Sequence, residues 1–454
     1  MSSRKTSLAL GWPALLALAA CTPARGTTRA PEPAAANRRL PGLSAAAEVG
    51  RRIFFDKSLS ASAEMSCATC HDPDHAYGPP NALAVQLGGP HRDEAGLRAV
   101  PSLRYKEATP AYADLLDNPD GVSAPGPGGG FAWDGRADTL ADQAKLPLLS
   151  PLEMANASPA DVARKLAAAP YAAELAAAFP DARGEANAVF KDALAALEAF
   201  QKEDPSFHPY TSKFDLHAGN KIGGSWTPAE ARGVRVFVSP KLGNCGSCHY
   251  SGPGLGGSSG MFSDYSYEAI GVPRNAALPA NRDPRFTDLG LCGPLRTDHA
   301  AASAHAAPGA APNRFCGMFK TPTLRNIAGR KVFFHNGSMR SLEQVIRFYN
   351  TRDTNPELWY PTVGGRTKAK PDARFPTYGL VTTPYAGGKV AKYDDLPEAY
   401  RGNIDPQMPL DGRPAGSKPP LSERDISDLI CFLETLTDGY QIPASAPTSG
   451  RCVE

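Results

Sequence analysis

Six stretches of the chain place apolar residues at the spacing of an amphipathic helix. They lie at 47–54, about 138–145, 160–178, 186–203, 229–237 and 422–436. The last stretch opens with acidic residues and continues with an apolar stripe through Ile426, Leu429, Phe432 and Leu433, which predicts a helix with one buried face. Because this spacing recurs along much of the chain, we expect a mainly α protein.

Loops are expected to fill much of the space between these helices. The 454 residues include 43 glycines and 44 prolines, which interrupt regular structure and favour ordered turns. The length is sufficient for two or three domains with hydrophobic cores of their own. With 48 basic and 46 acidic residues the formal charge is +2, so the basic excess of a nucleic-acid-binding protein is missing. We therefore expect no nucleic-acid partner.

The first residues have the pattern of an export signal. Two basic residues precede an apolar run from 8 to 20, which is too short to cross a membrane as a helix. The run ends in Leu-Ala-Ala-Cys21, which resembles a bacterial lipobox and predicts a lipoprotein-type signal peptide over 1–21 with a lipid anchor at Cys21. An ordinary cleaved signal is the alternative. Residues 22–42 predict a disordered tether, and we expect a periplasmic protein that meets the membrane only through this anchor.

One five-residue motif occurs twice, each time after an amphipathic stretch. The two copies are Cys67-Ala-Thr-Cys70-His71 and Cys245-Gly-Ser-Cys248-His249. In a C-x-x-C-H motif the two thiols attach a haem covalently and the histidine ligates its iron. A thioredoxin-like pair or a zinc site would not explain a histidine directly after each pair. We therefore predict two covalently bound haem c groups, with His71 and His249 as proximal iron ligands.

The duplication divides the chain into two halves. A change in composition near 210–226 predicts an N-terminal haem c domain over 43–218 and a C-terminal haem c domain over 219–454. Each half is expected to be a cytochrome c-like unit with many loops.

Four cysteines remain outside the motifs and the signal. They are Cys292, Cys316, Cys431 and Cys452. In an exported protein such cysteines usually form disulfides. The short separations make Cys292–Cys316 and Cys431–Cys452 the simplest pairing, and the other two pairings stay open.

Four further passages carry a resemblance to a known family. They are FAWDGRAD at 131–138, PLEM at 151–154, FKTPTLRN at 319–326 and FHNG at 334–337. Together with the haem motifs they make the chain similar, over roughly 45–440, to the bacterial di-haem cytochrome c peroxidase family, which includes the MauG-type enzymes. The resemblance implies two cytochrome c-like domains that face each other. The first haem would be peroxidatic and the second would transfer electrons.

The resemblance also implies roles for residues near the first haem. Glu153 would lie over its open face as the acid–base group for O–O cleavage, with Gln143 and Pro147 lining the pocket. An apolar pocket would raise the pKa of that carboxyl group. Trp133 would lie between the haems and relay electrons. Ala99 stands where peroxidases of the family commonly have an asparagine that helps to bind calcium, which weakens the expectation of calcium here.

The other iron ligands are open at this point. His91 matches a loop histidine that caps the peroxidatic iron of many members and leaves when the other haem is reduced, whereas MauG-type members lack this cap. For the sixth ligand of the second haem, Met339 is the first choice and Met408 is the competitor, because a thioether raises the potential. A tyrosine serves in MauG-type enzymes, and the Met339 loop contains none. Five other histidines are expected not to ligate iron: His75, His208, His217, His299 and His305.

The predicted activity is the reduction of hydrogen peroxide to water with electrons from a small cytochrome c or a cupredoxin. The alternatives are a MauG-type oxidase that modifies a protein partner and a di-haem electron carrier without catalysis. The resemblance leaves a homodimer open. The stretch 351–420 is longer than in short peroxidases of the family and suggests a lid or docking surface.

Overall fold

The computed structural model of the chain describes residues 42–182, 184–252, 259–298, 314–363, 369–370, 381–382, 389–444 and 449–454. The predicted signal peptide, the lipid-anchor residue Cys21 and the predicted tether, apart from Gly42, lie outside these residues. No helix in the described part of the chain has both the length and the apolar character needed to cross a membrane.

Helices dominate the regular structure. The α-helices in the described residues are α1 (Ala45–Phe55), α2 (Cys67–Cys70), α3 (Leu140–Leu149), α4 (Pro159–Ala167), α5 (Ala172–Ala178), α6 (Ala186–Glu203), α7 (Lys213–Ala218), α8 (Pro228–Val238), α9 (Leu342–Thr351) and α10 (Glu423–Glu434). Short 3-10 turns and loops join them, so the prediction of a mainly α, loop-rich protein is confirmed. The predicted stretch 160–178 divides into α4 and α5, because Pro170 disfavours helix at the residue before it.

The strands are short and pair as two-stranded antiparallel ladders. They are β1 (Leu87–Gly88) with β2 (Glu94–Ala95), β3 (Ala113–Leu116) with β4 (Gly126–Gly128), β5 (Tyr267–Glu268) with β6 (Phe319–Lys320), β7 (Thr362–Val363) with β10 (Lys389–Val390), and β8 (Ala369–Lys370) with β9 (Val381–Thr382). The β5–β6 pair brings the FKTPTLRN passage beside the residues that follow the second haem motif. The strands therefore position loops and do not form a core sheet.

Side-chain caps fix the starts of the helices that precede the two motifs. At α1, the Ser44 hydroxyl accepts a hydrogen bond from the Ala47 amide at 3.1 Å. At α8, the Thr227 hydroxyl accepts from the Glu230 amide at 3.2 Å, and the Glu230 carboxylate accepts from the Thr227 amide at 2.7 Å. Pro228 occupies the first turn, where its missing N–H costs no hydrogen bond.

Two hydrophobic cores underlie these helices. The first includes Phe54 of α1 and Phe200 of α6, and the second includes Phe237 of α8 and Phe432 of α10. The first core ends at Phe207 and the second begins at Phe214, close to the predicted domain boundary. Residues 39–454 nevertheless form one compact unit, so the boundary at 218/219 stays a prediction.

A glycine lets the helix that precedes each motif cross its partner helix closely. A Cβ atom on Gly50 of α1 would lie 1.9 Å from the carbonyl oxygen of Ala196 in α6. A Cβ atom on Gly233 of α8 would lie 2.1 Å from the carbonyl oxygen of Asp428 in α10. Because no side-chain atom fits at these distances, only glycine permits either crossing. Each haem motif therefore follows a helix that crosses its partner closely at a glycine.

Both disulfides of the simplest predicted pairing are present. Cys292 is bonded to Cys316, and Cys431 of α10 is bonded to Cys452 near the end of the chain. This confirms that prediction. None of the four motif cysteines forms a disulfide, so all four are available for haem attachment.

Candidate haem sites

The first motif is held by a short helix and a backbone carbonyl. The thiols of Cys67 and Cys70 lie on α2, and His71 follows at its end. The His71 Nδ1 atom lies 3.0 Å from the Tyr77 carbonyl oxygen, which leaves Nε2 for a metal. Burial lowers the pKa of His71 to about 4, so the ring is neutral at neutral pH, as an iron ligand must be.

The second motif repeats this arrangement. Cys245 begins a 3-10 turn that ends at Ser247, and His249 follows directly after Cys248. The His249 Nδ1 atom lies 3.1 Å from the Phe262 carbonyl oxygen, and burial lowers the pKa of His249 to about 4. Both histidines are therefore oriented by a carbonyl on one nitrogen and keep the other nitrogen for iron.

The two cavities fit c-type haem by their donor sets. The C-terminal cavity, of about 610 Å³, is lined by Cys245, Cys248 and His249 together with apolar side chains. The N-terminal cavity is much smaller, at about 80 Å³, and is lined by Cys67, Cys70 and His71. At the N-terminal site the convergence of two thiols and one neutral histidine, rather than the volume, supports the fit.

Three predicted pocket residues line the N-terminal cavity beside its motif. They are Gln143, Pro147 and Glu153. Gln143 and Pro147 lie one turn apart on α3, and the chain then turns back, with the Met154 amide donating to the Pro147 carbonyl at 3.0 Å. This turn returns Glu153 to the cavity after the helix has ended.

The environment of Glu153 favours its protonated form. Burial raises the pKa of Glu153, while the charge of Arg136 and a hydrogen bond from Ser150 oppose the rise. The Glu153 side chain is surrounded by protein but stays accessible, because it faces the cavity. A carboxyl group so placed can exchange protons with a small molecule in the cavity.

Trp133 contacts the segment that separates the two cavities. Its indole Nε1 donates to the Ala99 carbonyl oxygen at 2.7 Å, and its side chain lines the C-terminal cavity. Arg98 and Val100, on either side of Ala99, line the N-terminal cavity. Trp133 is therefore connected to both cavities. Ala99 offers no side-chain oxygen and its carbonyl is already bonded, so calcium stays an untested expectation.

His91 does not reach the N-terminal cavity. It lies exposed in the turn between β1 and β2, and the cavity wall consists of other residues. The hairpin itself packs on the Glu153 segment, with the Gly89 amide donating to the Glu153 carbonyl at 2.8 Å. The predicted cap is thus not formed here, because the hairpin turn directs His91 to the surface.

The assignment of Met339 as an iron ligand stays a prediction, and the position of its side chain does not favour it. Met339 is fully buried in the second core, and the described wall of the C-terminal cavity does not include it. Two other candidates do line that wall, Tyr349 of α9 and Met408. The Met408 sulfur accepts a hydrogen bond from Arg413 at 3.6 Å.

Tyr349 is the residue that sequence reasoning missed. Its pKa is raised first by burial and then by the charges of Cys248 and Cys245, which places it beside the second motif. No residue in the described part of the chain provides a hydrogen-bond partner for its hydroxyl group. The signal in the sequence is the position of Tyr349 on the helix that follows the FHNG passage, one element beyond the loop of Met339.

The remaining histidines differ in their surroundings. His217 stacks on Trp226, and His75 lies on the C-terminal cavity wall with its Nδ1 3.1 Å from Asp72. His208 has a buried Nδ1 without a hydrogen-bond partner in the described residues. His335 lines the C-terminal cavity and stacks on Phe319 at 3.5 Å. The predictions for His299 and His305 lie outside the described residues.

Comparison with known proteins agrees with this two-site geometry. A sequence model of the family described as di-haem cytochrome c peroxidase matches residues 44–221. The chain is 32% identical over 432 residues to the methylamine utilization protein MauG of Paracoccus denitrificans, covering 93% of this chain and 94% of that protein. The chain belongs to the di-haem cytochrome c peroxidase and MauG family. Its members are oxidoreductases, and membership implies two c-type haems.

Two other relatives represent the peroxidase branch of the family. The chain is 27% identical over 317 residues to the cytochrome c551 peroxidase of Nitrosomonas europaea, covering 69% of this chain and 75% of that protein. The solved structure of the diheme peroxidase BthA from Burkholderia thailandensis matches with a TM-score of 0.71 at 35% identity, covering 92% of this chain and 88% of that one. Peroxidases and MauG proteins are thus both similar to this member of the family.

Proposed function

We propose that this protein is a di-haem peroxidase that reduces hydrogen peroxide at the N-terminal site. The observation that carries the proposal is the meeting of Glu153, Gln143 and Pro147 with the first haem motif in one cavity. Bound haem would supply an iron that coordinates peroxide and accepts oxidising equivalents. Two protons and two electrons then convert hydrogen peroxide to two molecules of water.

Glu153 is the proton carrier in this proposal. Its carboxylate would take a proton from one oxygen of hydrogen peroxide and return it to the other oxygen, which departs as water. Burial raises its pKa toward the pH at which it can perform both transfers. Gln143 and Pro147 line the same cavity and limit its space for water.

Electrons enter at the C-terminal site and pass through Trp133. The indole bonds to the segment between the cavities, so its ring lies on a short route between the two sites. The proposed donor is a small cytochrome c or a cupredoxin that docks near the C-terminal site. We retain the periplasm, the lipid anchor at Cys21 and the homodimer as untested expectations.

We propose Tyr349 in place of Met339 as the sixth ligand at the C-terminal site. Tyr349 lies beside both cysteines of the motif, whereas Met339 packs in the core and the Met408 sulfur is already hydrogen bonded. A phenolic oxygen favours ferric iron, whereas a thioether favours ferrous iron. The C-terminal haem would therefore have a lower potential than with a methionine ligand.

A MauG-type oxidation of a protein partner is the second candidate. Tyr349 and the absence of His91 from the cavity wall both favour it, because MauG-type enzymes use a tyrosine and lack the histidine cap. A di-haem electron carrier without catalysis would not need a carboxyl group such as Glu153 in an open cavity. The two catalytic candidates differ in what is oxidised, a small electron donor or a protein side chain.

The test compares Glu153→Gln with the matched control Glu64→Gln in the mature di-haem protein. Glu64 is an exposed carboxylate on the same half of the chain. With a reduced small cytochrome c as donor, we expect peroxide turnover to fall by about 100-fold or more in Glu153→Gln and to stay unchanged in the control. Unchanged turnover in Glu153→Gln would contradict the proposal. Peroxide consumption that requires a protein substrate and does not depend on the electron donor would favour the MauG-type oxidation.

A further inference from the structure

Two tyrosines, Tyr112 and Tyr267, pack as a pair against the passage that contains Trp133. Their ring centroids lie 5.7 Å apart at an interplanar angle of 74°, which is an edge-to-face contact. A Cβ atom on Gly135 would lie 2.1 Å from the hydroxyl oxygen of Tyr267 and 2.9 Å from Cδ2 of Tyr112. Only glycine therefore allows both rings to approach the backbone two residues after Trp133.

Hydrogen bonds hold the inner tyrosine, Tyr267, in this position. Its hydroxyl group donates to the Gly129 carbonyl oxygen at 2.7 Å. Tyr267 belongs to β5 and pairs with Lys320 of β6, whose amide donates to the Trp133 carbonyl oxygen at 2.9 Å. The inner tyrosine is thus joined to the Trp133 passage through the β5–β6 ladder.

A guanidinium group joins the outer tyrosine, Tyr112, to the same passage. The guanidinium carbon of Arg296 lies 3.8 Å from the centroid of the Tyr112 ring. Its Nη1 atom donates to the carbonyl oxygen of Asp134 at 2.8 Å, and Asp134 directly follows Trp133. Asp298 pairs with Arg296 at 2.8 Å, which offsets the positive charge over the ring. Contacts therefore lead from the Trp133 passage to both tyrosines.

The hydroxyl group of Tyr112 has a carboxylate that can receive its proton. It donates to Oδ1 of Asp114 at 2.9 Å, and Asp114 is exposed. Burial and this hydrogen bond raise the pKa of Tyr112, so the phenol keeps its proton at neutral pH. A phenol that loses an electron becomes a strong acid, and a hydrogen-bonded carboxylate facilitates that loss by taking the proton. Tyr112 can therefore give up an electron and a proton together.

Tyr112 lies between the protein interior and the surface. Tyr267 is 2% exposed, whereas Tyr112 is half-buried, and neither ring lies on the described wall of a haem cavity. Tyr112 directly precedes β3, on which Leu115 is 70% exposed, and Val122 is 88% exposed in the connection to β4. Exposed apolar side chains beside a half-buried phenol suit contact with an aromatic molecule. Such a molecule can approach Tyr112 without entering either cavity.

We propose that Tyr112 is a surface oxidation site, at which an electron-rich aromatic reductant of the phenol class gives electrons to the peroxide-oxidised protein. The inference rests on the proposed function, because hydrogen peroxide is the oxidant. Tyr112 passes one electron toward Trp133 and its hydroxyl proton to Asp114. The phenol then returns one electron to Tyr112, which takes its proton back from Asp114.

The electrons and protons of this reaction balance. Each phenol loses one electron and releases its own hydroxyl proton, so it leaves as a phenoxyl radical. Two phenols supply the two electrons and two protons that convert one hydrogen peroxide to two water molecules. Tyr112 and Asp114 are unchanged after each cycle.

The test uses the mature di-haem protein and a phenol coupled to dextran, a polymer too large to enter the cavities. Tyr112→Phe keeps the aromatic ring and removes the hydroxyl group. Tyr210→Phe is the matched control, because the Tyr210 hydroxyl also donates to an exposed carboxylate, Glu107, at 3.0 Å, but its ring belongs to a different aromatic cluster. With hydrogen peroxide, we expect Tyr112→Phe to lose oxidation of the dextran-bound phenol and Tyr210→Phe to keep it.

Electron paramagnetic resonance of the peroxide-treated protein provides a second readout that does not depend on turnover. A tyrosyl radical signal should be present in the wild-type protein and in Tyr210→Phe and should be lost in Tyr112→Phe. Asp114→Asn should weaken the signal and slow phenol oxidation, because an amide does not accept the phenolic proton. This variant decides the question if Tyr112→Phe fails to acquire haem.

The outcomes separate this inference from the proposed function. If Tyr112→Phe keeps the radical signal or the oxidation of the bound phenol, the inference is wrong. If the wild-type protein turns over peroxide with reduced cytochrome c but gives no tyrosyl radical and leaves the bound phenol unoxidised, the inference alone is wrong. If the wild-type protein turns over peroxide with neither reductant, the proposed function and the inference are both contradicted.

Discussion

Replacing Gly233 by alanine should destabilise the C-terminal haem site by pushing apart the two helices that support it. Gly233 lies on α8, where its Cα faces the backbone of α10. The added Cβ would meet the Asp428 carbonyl oxygen at 2.1 Å and the Phe432 Cβ at 2.8 Å. Ordinary contact needs about 3.5 Å, so α8 and α10 must separate by more than about 1 Å. The obstacle is backbone, which cannot rotate aside as a side chain can.

The expected cost follows from this overpacking. Extra methyl groups in packed cores cost about 1–3 kcal/mol, and a backbone clash belongs at the upper end, so we expect a loss of about 3 kcal/mol. For a unit of the size of the C-terminal half, residues 219–454, this loss of stability corresponds to a fall in Tm of about 6–12 °C. The separation also moves Leu429 and Leu433, which line the C-terminal cavity. The spectrum of the second haem should therefore change more than that of the first.

Thermal unfolding of the mature protein, followed at both haem absorptions, measures this effect. Gly402→Ala is the control, because a Cβ at that position meets nothing within 4 Å and the backbone is not left-handed. Gly50→Ala should give a similar loss but disturb the first haem instead. A Gly233→Ala protein as stable as the control would refute the reasoning, since the close crossing of α8 and α10 could then not be what holds the site.

Three further outcomes are expected at the sites themselves. Trp133→Phe removes the indole and its hydrogen bond to the Ala99 carbonyl, and it should slow electron transfer between the haems in stopped-flow reduction while peroxide binding is kept. Tyr349→Met should raise the reduction potential of the second haem by an amount on the order of 0.1 V, within the roughly 0.8 V that axial ligands span. Redox titration measures this change, and an unchanged potential would exclude Tyr349 as the ligand. Because the carboxylate form of Glu153 accepts the first proton, turnover should rise as pH climbs through its raised pKa, and this limb should be missing from the pH profile of any residual turnover in Glu153→Gln.

Features encoded in contiguous residues could be predicted from the sequence. The two C-x-x-C-H motifs place thiols and histidine within five residues, so no folding information is needed to join them. Apolar spacing predicted the helices before each motif, and α1 and α8 begin within two residues of the predicted stretches. The break between α4 and α5 was not predicted, because the apolar periodicity continues across Pro170.

Features that depend on distant residues were predicted with mixed success. The family resemblance placed Glu153, Gln143 and Pro147 together, and the turn after α3 does bring them to one cavity. The same resemblance points to Met339, whose side chain is buried in the second core, because one loop position decides whether a side chain faces the core or the cavity. Sequence spacing alone carries no information on that direction.

The sequence by itself determined that this chain carries two haem-attachment motifs, each following an amphipathic stretch, because those signals are local and chemical. Tertiary structure alone decided which side chains complete the sites. Tyr349 reaches the second motif through the packing of α9, and His91 is directed outward by a hairpin. The physical reason is that ligation and charge compensation depend on distances of a few ångströms, which only the packing of the whole chain fixes.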